Sequence, residues 1–83
     1  MKDVVLSKQA SKALQKMPAN EAVTIREKIQ QLASAPEELA NNIKWIATMQ
    51  CTRLRVGDYR VFYDDKGEVV AILAVRKRGR AYR

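Results

Sequence analysis

The chain is predicted to adopt an α+β fold, a small antiparallel-rich sheet with a helical hairpin packed on one face, in the order β-α-α-β-β-β. Three patterns predict it. Apolar residues recur at helical spacing between residues 8 and 33. Residues 51–64 alternate at strand spacing around a Gly-Asp pair. Residues 69–75 form an unbroken apolar run.

Taken in order, Asp3 to Leu6 is a short apolar run with polar flanks, which reads as a first strand. Ser7 offers a helix N-cap. Ala10, Ala13, Leu14 and Met17 then fall at i, i+3, i+4 and i+7, with Lys and Gln between them. That spacing gives an amphipathic helix of about three turns. Pro18 stops it, and Asn20 is placed to cap a second helix with Glu21 in its first turn. The apolar stripe of that helix is Ala22, Ile25, Ile29, Leu32 and Ala33. A link of a few residues makes the two helices an antiparallel pair covering one sheet face. An interfacial membrane helix is the alternative reading of these stripes.

Pro36 ends the second helix or opens a last short turn, and residues 37–42 read as a loop with some helical character. Ile43 to Ile46 gives no clear period. Trp45 is expected to pack over the edge of the core, with stacking on a nucleotide as the alternative. Residues 51–56 and 59–64 read as two strands. Gly57-Asp58 between them has glycine first, as a type II′ turn wants. At period 2, Cys51, Arg53 and Arg55 share one face and Leu54 and Val56 the other. Val69 to Val75 is apolar throughout, so it belongs in the middle of the sheet with both faces largely covered. The helices cover one face of the sheet. The opposite face stays open, and Arg53, Arg55 and Arg60 converge there.

At 83 residues the chain reads as one domain, 1–83. A chain of this size buries only about 60–65% of its unfolded surface. Function is therefore expected on a sheet face or in a shallow groove. The formal net charge is +7, which favours an anionic partner: nucleic acid, an acidic protein or an anionic membrane surface. Residues 1–50 hold seven Lys/Arg against five Asp/Glu, and residues 51–83 hold nine against four. All of those nine except Lys66 lie in two stretches, 53–63 and the tail from Arg76 to Arg83. Arginine dominates both, and its planar fork matches phosphate oxygens.

There is no histidine and a single cysteine, Cys51. Those facts exclude an internal disulfide and a cysteine metal cluster, and remove the usual general base. No metal and no cofactor are expected. A Gly-rich phosphate loop, a nucleophile elbow and a Cys/His pair are all missing. The acidic pairs Glu37-Glu38 and Asp64-Asp65 read as solvated turn charges. The N-terminus has no long apolar run, and no stretch approaches 18 apolar residues. Neither a signal peptide nor a transmembrane helix is expected, and the expected location is the cytoplasm.

Arginines on an open sheet face can hold a phosphodiester and stabilise the extra charge of its pentacoordinate transition state. RNA supplies its own nucleophile in the 2′-hydroxyl. Cleavage then needs in-line positioning, phosphate neutralisation and help with proton transfer. Tyr82, beside Arg78 and Arg80, is placed to stack on a base. The same residues also describe an RNA-binding platform without catalysis, or a surface for an acidic protein.

The run Arg53-Leu-Arg-Val-Gly-Asp-Tyr-Arg60-Val-Phe-Tyr63 resembles the central hairpin of RelE/ParE-superfamily toxins. Val69–Val75 followed by Arg76-Lys77-Arg78-Gly79-Arg80-Ala81-Tyr82-Arg83 resembles their last strand and its basic-plus-tyrosine tail. The resemblance implies a toxin of a type II toxin–antitoxin system. In the RelE-like branch it implies a metal-independent, ribosome-dependent endoribonuclease that cuts mRNA by 2′-hydroxyl attack. It implies catalytic roles for Arg60 (phosphate), Arg78 (leaving 5′-oxygen), Tyr82 (substrate contact) and Arg53 (activation of the nucleophile). Arg55, Arg76, Lys77, Arg80 and Arg83 would bind RNA. Partners would be a cognate antitoxin, mRNA and the ribosome. The alternatives are a ParE-like inhibitor of DNA gyrase and a non-catalytic nucleic-acid-binding domain. The chain departs from the RelE pattern at Cys51, where a companion basic residue is usual. An arginine at 53 also hardly gives up its proton.

Overall fold

The computed structural model describes residues 1–78. The strands and helices run β1 (Asp3–Leu6), α1 (Lys8–Lys16), α2 (Ala19–Ser34), a 3-10 helix (Pro36–Asn42), β2 (Ile43–Ile46), β3 (Cys51–Val56), β4 (Tyr59–Asp65) and β5 (Val69–Lys77). The five strands form one sheet in the order β1-β5-β4-β3-β2. Only β1, at one edge, runs parallel to its neighbour. This is the predicted fold with two additions, the 3-10 helix and β2.

Local chemistry explains the element boundaries. The Ser7 hydroxyl accepts the Ala10 N–H at 3.0 Å and donates to the Leu73 carbonyl at 2.6 Å. One side chain thus caps α1 and fastens it to β5. Pro18 is itself the N-cap of α2, with no side-chain bond, and Asn20 lies inside the first turn. The expected Asn20 cap is therefore corrected. Proline before a helix needs no partner for an N–H it lacks, and its fixed φ already suits the turn.

The core lies between the helices and one sheet face. Ala10, Leu14, Ile25, Ile29, Leu32 and Leu39 pack onto Leu54, Val56, Val61, Tyr63, Val70, Ile72 and Val75. Each fully buried aliphatic side chain contributes about 1.5–3 kcal/mol relative to exposure. The β4–β5 register shifts between Phe62 and Tyr63. The shift lets Ile72 and Val75, three residues apart, both face the helices.

The opposite sheet face is open but not wholly polar. Phe62 is 0% exposed and Cys51 2%, yet neither belongs to the helix-side core. Trp45 is 56% exposed, so the expectation that it packs over the core edge is corrected. It stands on a four-residue edge strand whose one ladder partner among the described residues is β3. Among the described residues, no helix is long and apolar enough to cross a membrane.

Candidate functional site

The β3–β4 hairpin sets the site. Gly57 takes φ +56 and Asp58 does not have positive φ, as a type II′ turn requires and a type I′ turn forbids. The turn fixes the register Arg55↔Arg60 and Arg53↔Phe62. On the other flank Arg60 pairs with Arg76 and Phe62 with Ala74. Strand parity then sends Arg53, Arg55 and Arg60 to the open face together, because Leu54, Val56 and Val61 face the helices.

Arg78 joins them from just beyond the end of β5. Its backbone N–H donates to the Asp58 carbonyl, which carries the chain past the last ladder pair and alongside the turn. The result is a concavity of about 80 Å³ lined by Arg53, Arg55, Gly57, Asp58, Tyr59, Arg60 and Arg78. The Arg53 and Arg60 guanidinium groups are held close to the sheet, while Arg55 and Arg78 are exposed. Nε of Arg53 and both Nε and Nη1 of Arg60 are buried, and Nε of Arg53 has no hydrogen-bond partner among the described residues.

Four cations around so small a space repel one another. Like charges directly opposite on neighbouring strands also lower stability. An anion seated between them removes both costs. The hollow has the charge to accommodate an anionic group such as a phosphate or carboxylate.

Of the other sequence-predicted residues, Arg76 lies opposite Arg60 in register but lines a separate hollow with Gln9, Ala13, Lys16 and Met17 of the α1 side. Lys77 lines that hollow too, as well as a groove of about 230 Å³ with Asn20, Glu21 and Thr24. The structure therefore does not bring Lys77 to the arginine concavity. Arg80, Tyr82 and Arg83 lie outside the described residues.

Two residues escaped the sequence reading. Lys44 stands beside Arg53 on β2 and is exposed. Its placement was hidden because Ile43–Ile46 shows no strand period. Asp58 was read only as a turn residue; it is the one acidic residue among the described residues lining the concavity, and it also lines the groove that holds Asn20 and Glu21.

Cys51 and Tyr63 are not among the described residues lining the concavity. Burial pushes the Cys51 thiol above its ordinary value, and the Asp64 carboxylate adds to the shift. A protonated, buried thiol is a poor nucleophile. Burial, with help from Asp65, likewise raises the Tyr63 phenol, which sits on the helix side in the core.

Comparison with known proteins identifies the family and the fold. The family model for the ParE toxin of type II toxin-antitoxin system, parDE, matches residues 4–82. The RelE–RelB complex from the archaeon Pyrococcus horikoshii OT3 contains a chain 30% identical to this one. The match covers 96% of this chain and 98% of that chain, with a TM-score of 0.70. The isolated Escherichia coli RelE toxin matches at 20% identity over 99% of this chain and 89% of its own, with a TM-score of 0.73. In the Mycobacterium tuberculosis RelBE2 complex the figures are 24% identity, 93% and 98% coverage, and a TM-score of 0.65. These last two establish shared fold alone. No curated protein sequence gives a significant match. With a family model spanning nearly all of its length and an archaeal relative at 30% identity from end to end, the chain belongs to the RelE/ParE superfamily of type II toxin–antitoxin toxins.

Proposed function

We propose that this toxin is a metal-independent endoribonuclease that cuts mRNA on the ribosome by attack of the RNA 2′-hydroxyl on the adjacent phosphate. The observation that carries this reading is the single concavity lined by Arg53, Arg55, Arg60 and Arg78. Arg60, at its centre between β3 and β5, neutralises the non-bridging phosphate oxygens. Arg78 supports the charge that develops on the departing 5′-oxygen. Arg53 binds near the attacking 2′-oxygen, and Arg55 adds a further phosphate contact. Tyr82, Arg80 and Arg83 extend the substrate contact from the tail. Preorganised cations act here because they meet more charge in the transition state than in the ground state.

The similar RelE chains from P. horikoshii and M. tuberculosis come from complexes with their antitoxins. By the same reading this toxin has a cognate antitoxin that neutralises its basic surface in the cytoplasm. A second reading, inhibition of DNA gyrase, is favoured by the ParE description of the matching family. Incubation of the purified toxin with programmed ribosomes separates the two. Cleaved message supports the ribonuclease. Intact message together with gyrase-dependent DNA breaks supports the gyrase reading.

A further inference from the structure

Phe62 is 0% exposed, yet it stands on the sheet face away from the helices. Val61 and Tyr63, its neighbours along β4, belong to the helix-side core and Phe62 does not, as strand alternation requires. The register fixes what surrounds the ring on its own face among the described residues. Arg53 lies directly opposite on β3 and Ala74 directly opposite on β5. Arg60 and Asp64 lie two positions away along β4. An alanine is too short to cover a phenyl ring. Arg53 and Arg60 are the long side chains beside it, and an arginine stem covers apolar surface well.

The arginines of this face divide accordingly. Arg53 and Arg60, the two next to the ring, are half-buried. Nε of Arg53 and both Nε and Nη1 of Arg60 have lost contact with water. Arg55 and Arg76, which flank Arg60 across the two ladders, are exposed, as is Arg78. The cover is mutual: arginine stems seal the ring, and the ring holds their guanidinium ends down.

We propose that Phe62 is a positioning residue whose ring is the floor that fixes the Arg53 and Arg60 guanidinium groups at the hollow. It is not among the described residues lining the hollow and acts through the two arginines. A long arginine side chain gives up much rotamer freedom when it is fixed. Folding fixes both against the ring, so phosphate meets cations already in place. The floor is independent of what the hollow binds; its effect on cleavage rests on the ribonuclease reading.

A ring buried for stability alone makes a different prediction: its loss loosens the whole sheet and treats these arginines no differently from the rest. The test compares F62V with I72A in the full chain. Valine suits a strand but ends short of the ring's outer edge. I72A removes a similar volume from the helix-side core. The first readout is water exchange of the arginine Nε–H protons by NMR, with the Arg53 and Arg60 signals assigned by their loss in R53K and R60K. Exchange of both should quicken about tenfold or more in F62V and stay within threefold of wild type in I72A, with F62L in between. The second readout is single-turnover cleavage on programmed ribosomes. F62V should be about tenfold slower or more at saturation, with half-saturation within threefold of wild type, and I72A should keep its rate within threefold. Exchange in F62V within threefold of wild type, or an equal quickening in I72A, would overturn the floor. So would cleavage by F62V at the wild-type rate. Where F62V does not fold, F62L is held to the same limits against I72A. If the wild-type toxin leaves message intact, the ribonuclease reading fails, and the exchange rates alone decide whether Phe62 holds the arginines.

Discussion

Arg55 and Arg60 lie directly opposite one another on β3 and β4, two guanidinium-bearing residues paired across an antiparallel ladder. A ladder built for stability alone avoids such a pair, because facing like charges cost a few tenths to about 1 kcal/mol. Arg55→Gln should therefore raise stability by about 0.5 kcal/mol at low salt. The gain should shrink as salt screens the repulsion. RNA affinity should fall in the same variant. Urea unfolding at low and high salt, alongside a binding titration, checks both halves.

Arg78 is exposed, so its side chain can be removed at little structural cost. Arg78→Ala should leave the urea midpoint within experimental scatter while cleavage falls about 100-fold or more, in the range lost with a transition-state donor. Expression of the variant should no longer arrest growth. Arg60→Ala should also abolish toxicity, and its partly buried position makes the unfolding control more important. Full toxicity in both variants would remove the arginine concavity from the account.

The hydrogen bond from the Tyr59 hydroxyl to Glu21 ties α2 to the hairpin that presents the arginines. Tyr59→Phe should cost about 1 kcal/mol, the usual net worth of such a bond. The urea midpoint should drop with an unchanged m-value. Glu21→Gln keeps an acceptor and should lose less.

At the far edge, Lys2 donates to both carboxylate oxygens of Asp65 at 2.7 and 2.6 Å. The Gly67 N–H also donates to Asp65, at 3.0 Å. The Lys2 hydrogen bond first, then that of Gly67, hold the Asp65 carboxyl below its ordinary 3.8. A carboxylate with a lowered folded-state pKa stabilises the fold above the unfolded value. That stability disappears as pH falls from about 5 through 3.8 and below. Both side chains are substantially exposed, at 31% and 48%, so solvent screening keeps the contribution under about 1 kcal/mol. Asp65→Asn should be slightly less stable at pH 7 and should show a shallower stability loss in acid. Chemical unfolding followed from pH 7 to 3 measures it.

Much of the fold was legible because its signals are local. Ser7 caps α1, Gly57-Asp58 turns the hairpin, and the apolar run from Val69 becomes a strand flanked on both sides. Parity placed Arg53, Arg55 and Arg60 on one face, which needs only period 2 and a fixed turn. The parts that were not legible depend on distant partners. Strand β2 exists because β3 offers it a ladder edge, and four residues around an exposed Trp45 carry no period of their own. The parallel pairing of β1 with β5 joins residues more than sixty apart in sequence. The burial of Phe62 on the arginine face follows from its neighbours Arg53 and Ala74 across the ladders.

The central claim is that these arginines promote attack by the message's own 2′-oxygen. The most direct measurement uses a ribosome-bound mRNA carrying a single 2′-deoxy nucleotide immediately 5′ of the scissile phosphate. The all-ribose message should be cut to a product ending in a 2′,3′-cyclic phosphate, and the deoxy-substituted message should stay intact at that position. Cleavage of the deoxy-substituted message at the same bond would contradict the account.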